Sequence, residues 1–231
     1  GLTQAFYDDP DMQKRICSSC AICTRFQPVH ADISLCVIGM SANEAIGLSA
    51  ETDTGLSILK QLGFETSDAP GGRKDAVDRL FAERENAKST ALETIKDKTD
   101  SIEKFQHYFA DCLNCHNCRV ACPVCYCREC VFLTDVFAHD PEVLLRRASK
   151  KGMVKLPTDT TMFHMTRMAH MAHACVACGH CSSVCPSHIP VADVFIRVAE
   201  EIQNLYGYKP GRDLSEAIPL LVFDEAGKEG V

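Results

Sequence analysis

No stretch of this 231-residue chain approaches the roughly 18 uninterrupted apolar residues that a membrane helix needs. The N-terminus also lacks the basic region and apolar core of a secretory signal. Both absences lead us to expect a soluble, cytoplasmic protein. A basic run is missing as well: Asp and Glu total 31 against 24 for Lys and Arg, a formal net charge of −7. A polyanion finds little to hold, so nucleic acid is not an expected partner. The first residue is Gly1 rather than a methionine, in mid-pattern, and a fragment or processed piece is expected.

What is abundant is cysteine. The fifteen cysteines fall in tight groups, not at the wide, even spacings of a disulfide-stapled secreted domain. That pattern points to metal in a reducing compartment. With 46% apolar residues the chain is no disordered tail, and its length suits one good core or two small domains.

Along the chain, Ile33-Ser34-Leu35-Cys36-Val37-Ile38 reads as a buried strand ended by Gly39, and 56–62 as a short helix stopped by Gly63. Residues 67–72, with Pro70 and a Gly-Gly pair, read as a linker or exposed turn. Val77, Leu80, Phe81, Arg84, Ala87, Ala91, Leu92, Ile95, Ile102, Phe105 and Phe109 then recur mostly at three- and four-residue intervals. This predicts one long amphipathic helix, or two joined near Thr99. Three helices are expected over 131–138, 141–151 and from 158 or 160 to 173, and a fourth over 191–205 with a Val194, Phe195, Val198, Ile202, Leu205 stripe.

Cys112-Leu-Asn-Cys115-His-Asn-Cys118-Arg-Val-Ala-Cys122-Pro123 and Cys175-Val-Ala-Cys178-Gly-His-Cys181-Ser-Ser-Val-Cys185-Pro186 repeat the bacterial ferredoxin spacing, in which the fourth cysteine ligates the other cluster. Three thiolates two residues apart can wrap the corners of a cubane. The fourth is expected to begin a helix leaving in another direction, which the following proline suits. Cluster A should therefore take Cys112, Cys115, Cys118 and Cys185, and cluster B Cys175, Cys178, Cys181 and Cys122, both as [4Fe–4S]. Zinc also uses Cys-x2-Cys pairs, but it would leave the third and fourth cysteines of both motifs unexplained.

Seven thiols remain. Cys17, Cys20 and Cys23 match the first three positions of a cluster motif and are expected to hold a third [4Fe–4S] cluster. Its fourth ligand stays open between Cys36 and a thiol of Cys125, Cys127 and Cys130; Cys36 reads equally well as a small buried hydrophobe. His116 and His180, taken as matching positions inside the two loops, are expected to donate an N–H to cluster sulfur or to be exposed. His164, His170 and His173 lie among Met162, Met165, Met168 and Met171, which read as core filling around a cluster rather than as a haem box.

The double motif and the long helical insertion between its halves resemble the α-helical ferredoxin module of fumarate reductase and heterodisulfide reductase iron–sulfur subunits, over about residues 111–202. Cys20-Ala-Ile-Cys23-Thr-Arg-Phe26 followed by Ala31-Asp32-Ile33-Ser34 and a glycine-ended strand resembles coenzyme F-420 hydrogenase and dehydrogenase beta subunits. Thr54-Gly55-Leu56-Ser57-Ile58-Leu59 is similar to that family's next strand-to-helix step. With the run Cys122-Pro-Val-Cys125-Tyr-Cys127-Arg-Glu-Cys130, the whole resembles the C-terminal part of formate dehydrogenase beta subunits.

The resemblance implies an α+β protein. Residues 1–66 would be the C-terminal part of a flavin/deazaflavin domain, a small α/β remnant. Residues 67–110 would form an amphipathic helical linker, 111–206 an α-helical ferredoxin domain, and 207–231 an extended arm. It further implies an electron-transfer subunit of an anaerobic oxidoreductase, FAD and coenzyme F-420 as cofactors, and Ala31, Asp32, Ile33 and Ser34 in the flavin segment. The implied partners are a catalytic subunit of the formate dehydrogenase alpha type, which carries the bond chemistry, and heterodisulfide reductase subunits. The rival expectations are a dicluster relay of a heterodisulfide-reductase or flavin-bifurcating assembly without its own flavin, and a zinc scaffold.

Overall fold

The computed structural model describes residues 11, 15–40, 45–65, 67, 68, 71–127, 129–134, 141–152 and 159–219. It divides into two compact units, 1–91 and 92–231. Helices dominate and a two-stranded sheet accompanies them, so the expected α+β class holds.

In the first unit, α1 (Ser18–Ala21) is a single turn within the N-terminal cysteine group. β1 (Ile33–Cys36) pairs antiparallel with β2 (Gly47–Ala50), Ile33 opposite Ala50 and Cys36 opposite Gly47. The strand expected to reach Ile38 ends at Cys36. Helix α2 (Asp53–Gln61) begins three residues before its expected start, because Thr52 caps it: the hydroxyl accepts the Gly55 N–H at 3.1 Å and donates to the Asp32 carboxylate. Gly55 is obligatory there, since a Cβ would lie 1.9 Å from the Asp32 carbonyl oxygen.

Helix α3 (Arg73–Thr99) starts where Gly39, at φ +71°, lies against Arg73 so closely that a Cβ would stand 2.9 Å from the Arg73 Cα. Arg84 reaches from α3 to donate to the Cys23 carbonyl at 3.0 Å, its guanidinium 4.9 Å above the Phe26 ring. One charged residue of the expected apolar stripe thus fastens the loop that follows the N-terminal cysteines.

In the second unit, the expected break near Thr99 is present. Ser101 caps α4 (Ile102–Tyr108) by accepting the Lys104 N–H at 3.2 Å. Two one-turn helices, α5 (Asn117–Val120) and α8 (His180–Ser183), lie inside the two long cysteine motifs. Between them come a 3-10 turn (Val131–Leu133), α6 (Pro141–Lys151), α7 (Asp159–Met171) and a second 3-10 turn (Ala172–Ala174). The helix expected over 131–138 is only that first turn as far as Thr134; residues 135–138 and 158 lie outside the described residues.

Helix α9 (Val191–Leu205) spans its expected range, with Pro190 at its N-cap. The extended arm expected over 207–231 is described to Pro219, as turns. The core of this unit joins Phe105 of α4 and Phe109 just after it, Phe163 and Met171 of α7 and Val191, Val194 and Phe195 of α9. Each such side chain, fully buried, contributes about 2 kcal/mol. The buried Gln203 amide donates to the Ala172 and Cys175 carbonyls at 3.0 and 2.9 Å, tying α9 to the start of the second cysteine motif.

Candidate metal centres

The two long motifs share one backbone path. Asn114 and Ala177, each before the second cysteine, are left-handed at φ 54° and 58°. His116 and Gly179, each after it, are left-handed at 61° and 77° and cap α5 and α8. The positions that correspond are therefore His116 and Gly179, not His116 and His180 as expected. A loop wound this way turns three thiols inward, and a non-glycine residue tolerates it only where the surroundings hold it. After the fourth cysteine the paths match again: the Cys125 N–H donates to the Cys122 carbonyl at 3.2 Å and the His188 N–H to the Cys185 carbonyl at 3.0 Å. The fourth cysteines do not begin helices. Each leads into a tight turn; after Cys122 the next helical residues are the 3-10 turn from Val131, and after Cys185 helix α9 from Val191.

Cys112, Cys115, Cys118 and Cys185 line one hollow, with Phe163 and His164 in its wall. Cys122, Cys175, Cys178 and Cys181 line a second, walled by Arg167, Met171 and Phe195. Among the described residues no three Cys, His, Asp or Glu side chains converge closely enough to hold a single metal ion. Four thiols line each hollow, the number that a cubane with a thiolate at each iron corner requires.

Burial pushes the Cys112 thiol up, with Cys185 and Cys115 adding to it. It pushes Cys118 up to about 11 and Cys181 up to about 12, against the pull of Arg167 in both cases. Thiols in such surroundings release their protons when a metal centre supplies the positive charge.

Donors surround the sulfurs. The Asn114 N–H lies 3.4 Å from Cys112 Sγ. Arg167, only 3% exposed, donates from Nη1 to Cys118 Sγ at 3.1 Å and from Nη2 to the Cys118 carbonyl at 3.0 Å. Its guanidinium lies over Phe195 at 4.6 Å. Nothing in the cysteine spacing points to Arg167. The available signal is its place four residues from both Phe163 and Met171, on the buried stripe of α7.

His164 is buried with Nε2 3.4 Å from Cys112 Sγ, and its ring stacks on Phe109 at 3.9 Å. Burial first, then Arg167 and His116, hold its pKa down to about 3, so the ring is neutral. With a sulfur at Nε2, the proton belongs on that nitrogen. His116 contacts Asn114 Oδ1 at 3.2 Å and stacks on Phe163, whereas His180 is exposed. Of the four α7 methionines only Met171 is fully buried; Met162 and Met165 are exposed, so the expected core filling is confined to the face toward the hollows.

Of the remaining expected residues, Cys125, Cys127 and Cys130 lie in the second unit, where they line a separate cavity, and the others lie in the first. Cys20 lies in α1, Cys17 is its N-cap and Cys23 follows its end, with the Cys20 N–H on the Cys17 carbonyl at 2.9 Å and the Cys23 N–H on the Cys20 carbonyl at 3.2 Å. Cys36 is half-buried in β1, its Sγ 3.9 Å from the Ser34 carbonyl. Ala31 and Asp32 precede β1; Ile33 and Ser34 open it, and the buried Ser34 hydroxyl has no hydrogen-bond partner among the described residues.

Two hollows walled by crossed cysteine runs define a dicluster iron–sulfur protein, and residues 109–189 match the 4Fe-4S dicluster domain family. The chain is homologous to formate dehydrogenase beta subunits, as the resemblance implied. It is 33% identical over 214 residues to the F420-dependent formate dehydrogenase 1 subunit beta of Methanococcus maripaludis, a match spanning 88% of this chain and 51% of that protein. It is likewise 33% identical over 129 residues to the F420-dependent formate dehydrogenase subunit beta of Methanocaldococcus jannaschii, spanning 56% of this chain and 31% of that protein. The chain thus spans about half the length, or less, of the curated relatives it matches. No helix among the described residues is long and apolar enough to cross a membrane.

Proposed function

We propose that the chain is an iron–sulfur electron-relay subunit of an oxidoreductase complex of the formate dehydrogenase type. The observation that carries the reading is the crossing of two distant motifs: Cys185 lines a hollow with Cys112, Cys115 and Cys118, and Cys122 lines one with Cys175, Cys178 and Cys181. Each set holds one [4Fe–4S] cluster, and such clusters, when bound, take up and release electrons singly.

The surrounding residues tune that task. Arg167 and the Asn114 N–H donate to sulfur and favour added negative charge. His164, neutral throughout the working pH range, donates to sulfur without bringing a titrating charge. Phe163 and Phe195 keep water from the buried side of the hollows.

Bond chemistry then belongs to a partner, a catalytic subunit of the formate dehydrogenase alpha type, as the names of the relatives suggest. Cys17, Cys20 and Cys23 would hold a third [4Fe–4S] cluster, and Ala31, Asp32, Ile33 and Ser34 belong to a segment that would contribute to holding FAD, which when bound would supply two-electron chemistry toward coenzyme F-420 or another acceptor. Anaerobic iron, acid-labile sulfide and flavin content with reduced-state EPR on the native protein tests the reading. We expect a brown protein with at least about eight irons and matching sulfide per chain, together with FAD. A colourless zinc protein would overturn the relay; iron without flavin would overturn the flavin assignment alone.

A further inference from the structure

Three cysteines of the second unit belong to neither hollow. Cys125, Cys127 and Cys130 line a third cavity of about 180 Å3, larger than either of the other two. Its walls also hold Phe132 and Met171 from the core, and two cations, Arg119 and Arg167. Arg167 and Met171 wall the hollow of Cys122, Cys175, Cys178 and Cys181 too, so the two cavities are neighbours. His170 stands at the exposed rim of the third cavity.

We infer that this cavity is an additional iron–sulfur site, in which the thiolates of Cys125, Cys127 and Cys130 and the imidazole of His170 ligate a [4Fe–4S] cluster. The construction is that of the two ferredoxin-type hollows: three thiols from one short run, a fourth donor from another element, and an apolar back wall. Charge fits as well. Three thiolates and a neutral imidazole on a doubly positive cubane leave one net negative charge, the Glu129 carboxylate in the same lining brings a second, and Arg119 and Arg167 balance the two. The assignment also accounts for the thiols: eight in the two hollows, three here and Cys17, Cys20 and Cys23 leave Cys36 alone of the fifteen.

The test compares the native protein, purified anaerobically, with a variant carrying Cys125→Ser, Cys127→Ser and Cys130→Ser. Iron, zinc and acid-labile sulfide are measured together with reduced-state EPR. We expect the variant to lose about four irons and about four sulfides per chain while the signals of the two ferredoxin-type clusters persist. Unchanged iron, or a loss of zinc in place of iron, would overturn the site while leaving the relay reading intact. Should the triple variant fail to fold, anaerobic alkylation of the unmodified protein decides: the three cysteines should be alkylated only after the iron is chelated, and equal labelling with iron in place would overturn the proposal.

Discussion

Replacing Arg167 with methionine removes one buried positive charge and the hydrogen bond to Cys118 Sγ at 3.1 Å, while keeping an unbranched side chain to fill the space beside Phe195. Reduction adds one negative charge to the cluster, so the guanidinium stabilises the reduced state and its loss must lower the reduction potential. A unit charge roughly 6 Å from the centre of that added charge, at an effective dielectric of about 20, is worth about 3 kcal/mol. For a one-electron couple, about 1.4 kcal/mol corresponds to about 59 mV, giving about 120 mV. Delocalisation over the cluster and solvent beside the exposed Cys115 cut this by about half. We therefore expect the cluster of Cys112, Cys115, Cys118 and Cys185 to fall by about 60–120 mV, and its neighbour to fall by less. Redox titration followed by EPR, on variant protein with full iron content, measures both. Arg167→Lys should recover much of the charge effect but not the fork that also holds the Cys118 carbonyl. A rise in potential, or no shift beyond about 20 mV in either cluster, would refute the charge argument.

Further expectations concern assembly, folding and pH. Cys122→Ser should disturb the cluster faced by Cys175, Cys178 and Cys181 and spare the one in its own motif; EPR of partly reduced samples distinguishes them, and loss of the near-motif signal alone would contradict the crossing. Gly55→Ala forces a Cβ to within 1.9 Å of the Asp32 carbonyl oxygen, so the first unit should unfold or lose more than about 3 kcal/mol in denaturant titration. Wild-type stability there would show that α2 can shift away from β1. Tyr108, whose hydroxyl donates to the Pro190 carbonyl at 3.0 Å, is held above the ordinary tyrosine range, chiefly by burial with Asp193 adding to it. Its folded pKa is raised, so above about pH 10 the unfolded chain binds fewer protons and stability falls as pH rises. Ultraviolet titration should find this tyrosine silent at pH 11 while the fold persists, and Tyr108→Phe should remove that part of the alkaline slope.

Cysteine spacing by itself named the eight thiols that line the two hollows, because the geometry of a cubane leaves few ways for one short loop to supply three corners. Helical periodicity likewise gave the range of α9 and the break after Thr99, where a buried stripe and a serine cap act over a few neighbouring residues. Tertiary structure alone decided the rest. Arg167 in the sequence is one more charge on a helix; only the packing of α7 against α5 and α9 turns it toward Cys118 and makes it a sulfur donor. His164 reads as one histidine among methionines until the ring of Phe109 and the sulfur of Cys112 are placed on either side of it. The left-handed residues Asn114, His116 and Ala177 carry no glycine to announce them. Local chemistry follows from residues a few positions apart, whereas the electrostatic surroundings of a sulfur depend on which distant side chains the folded chain brings within about 3–4 Å of it.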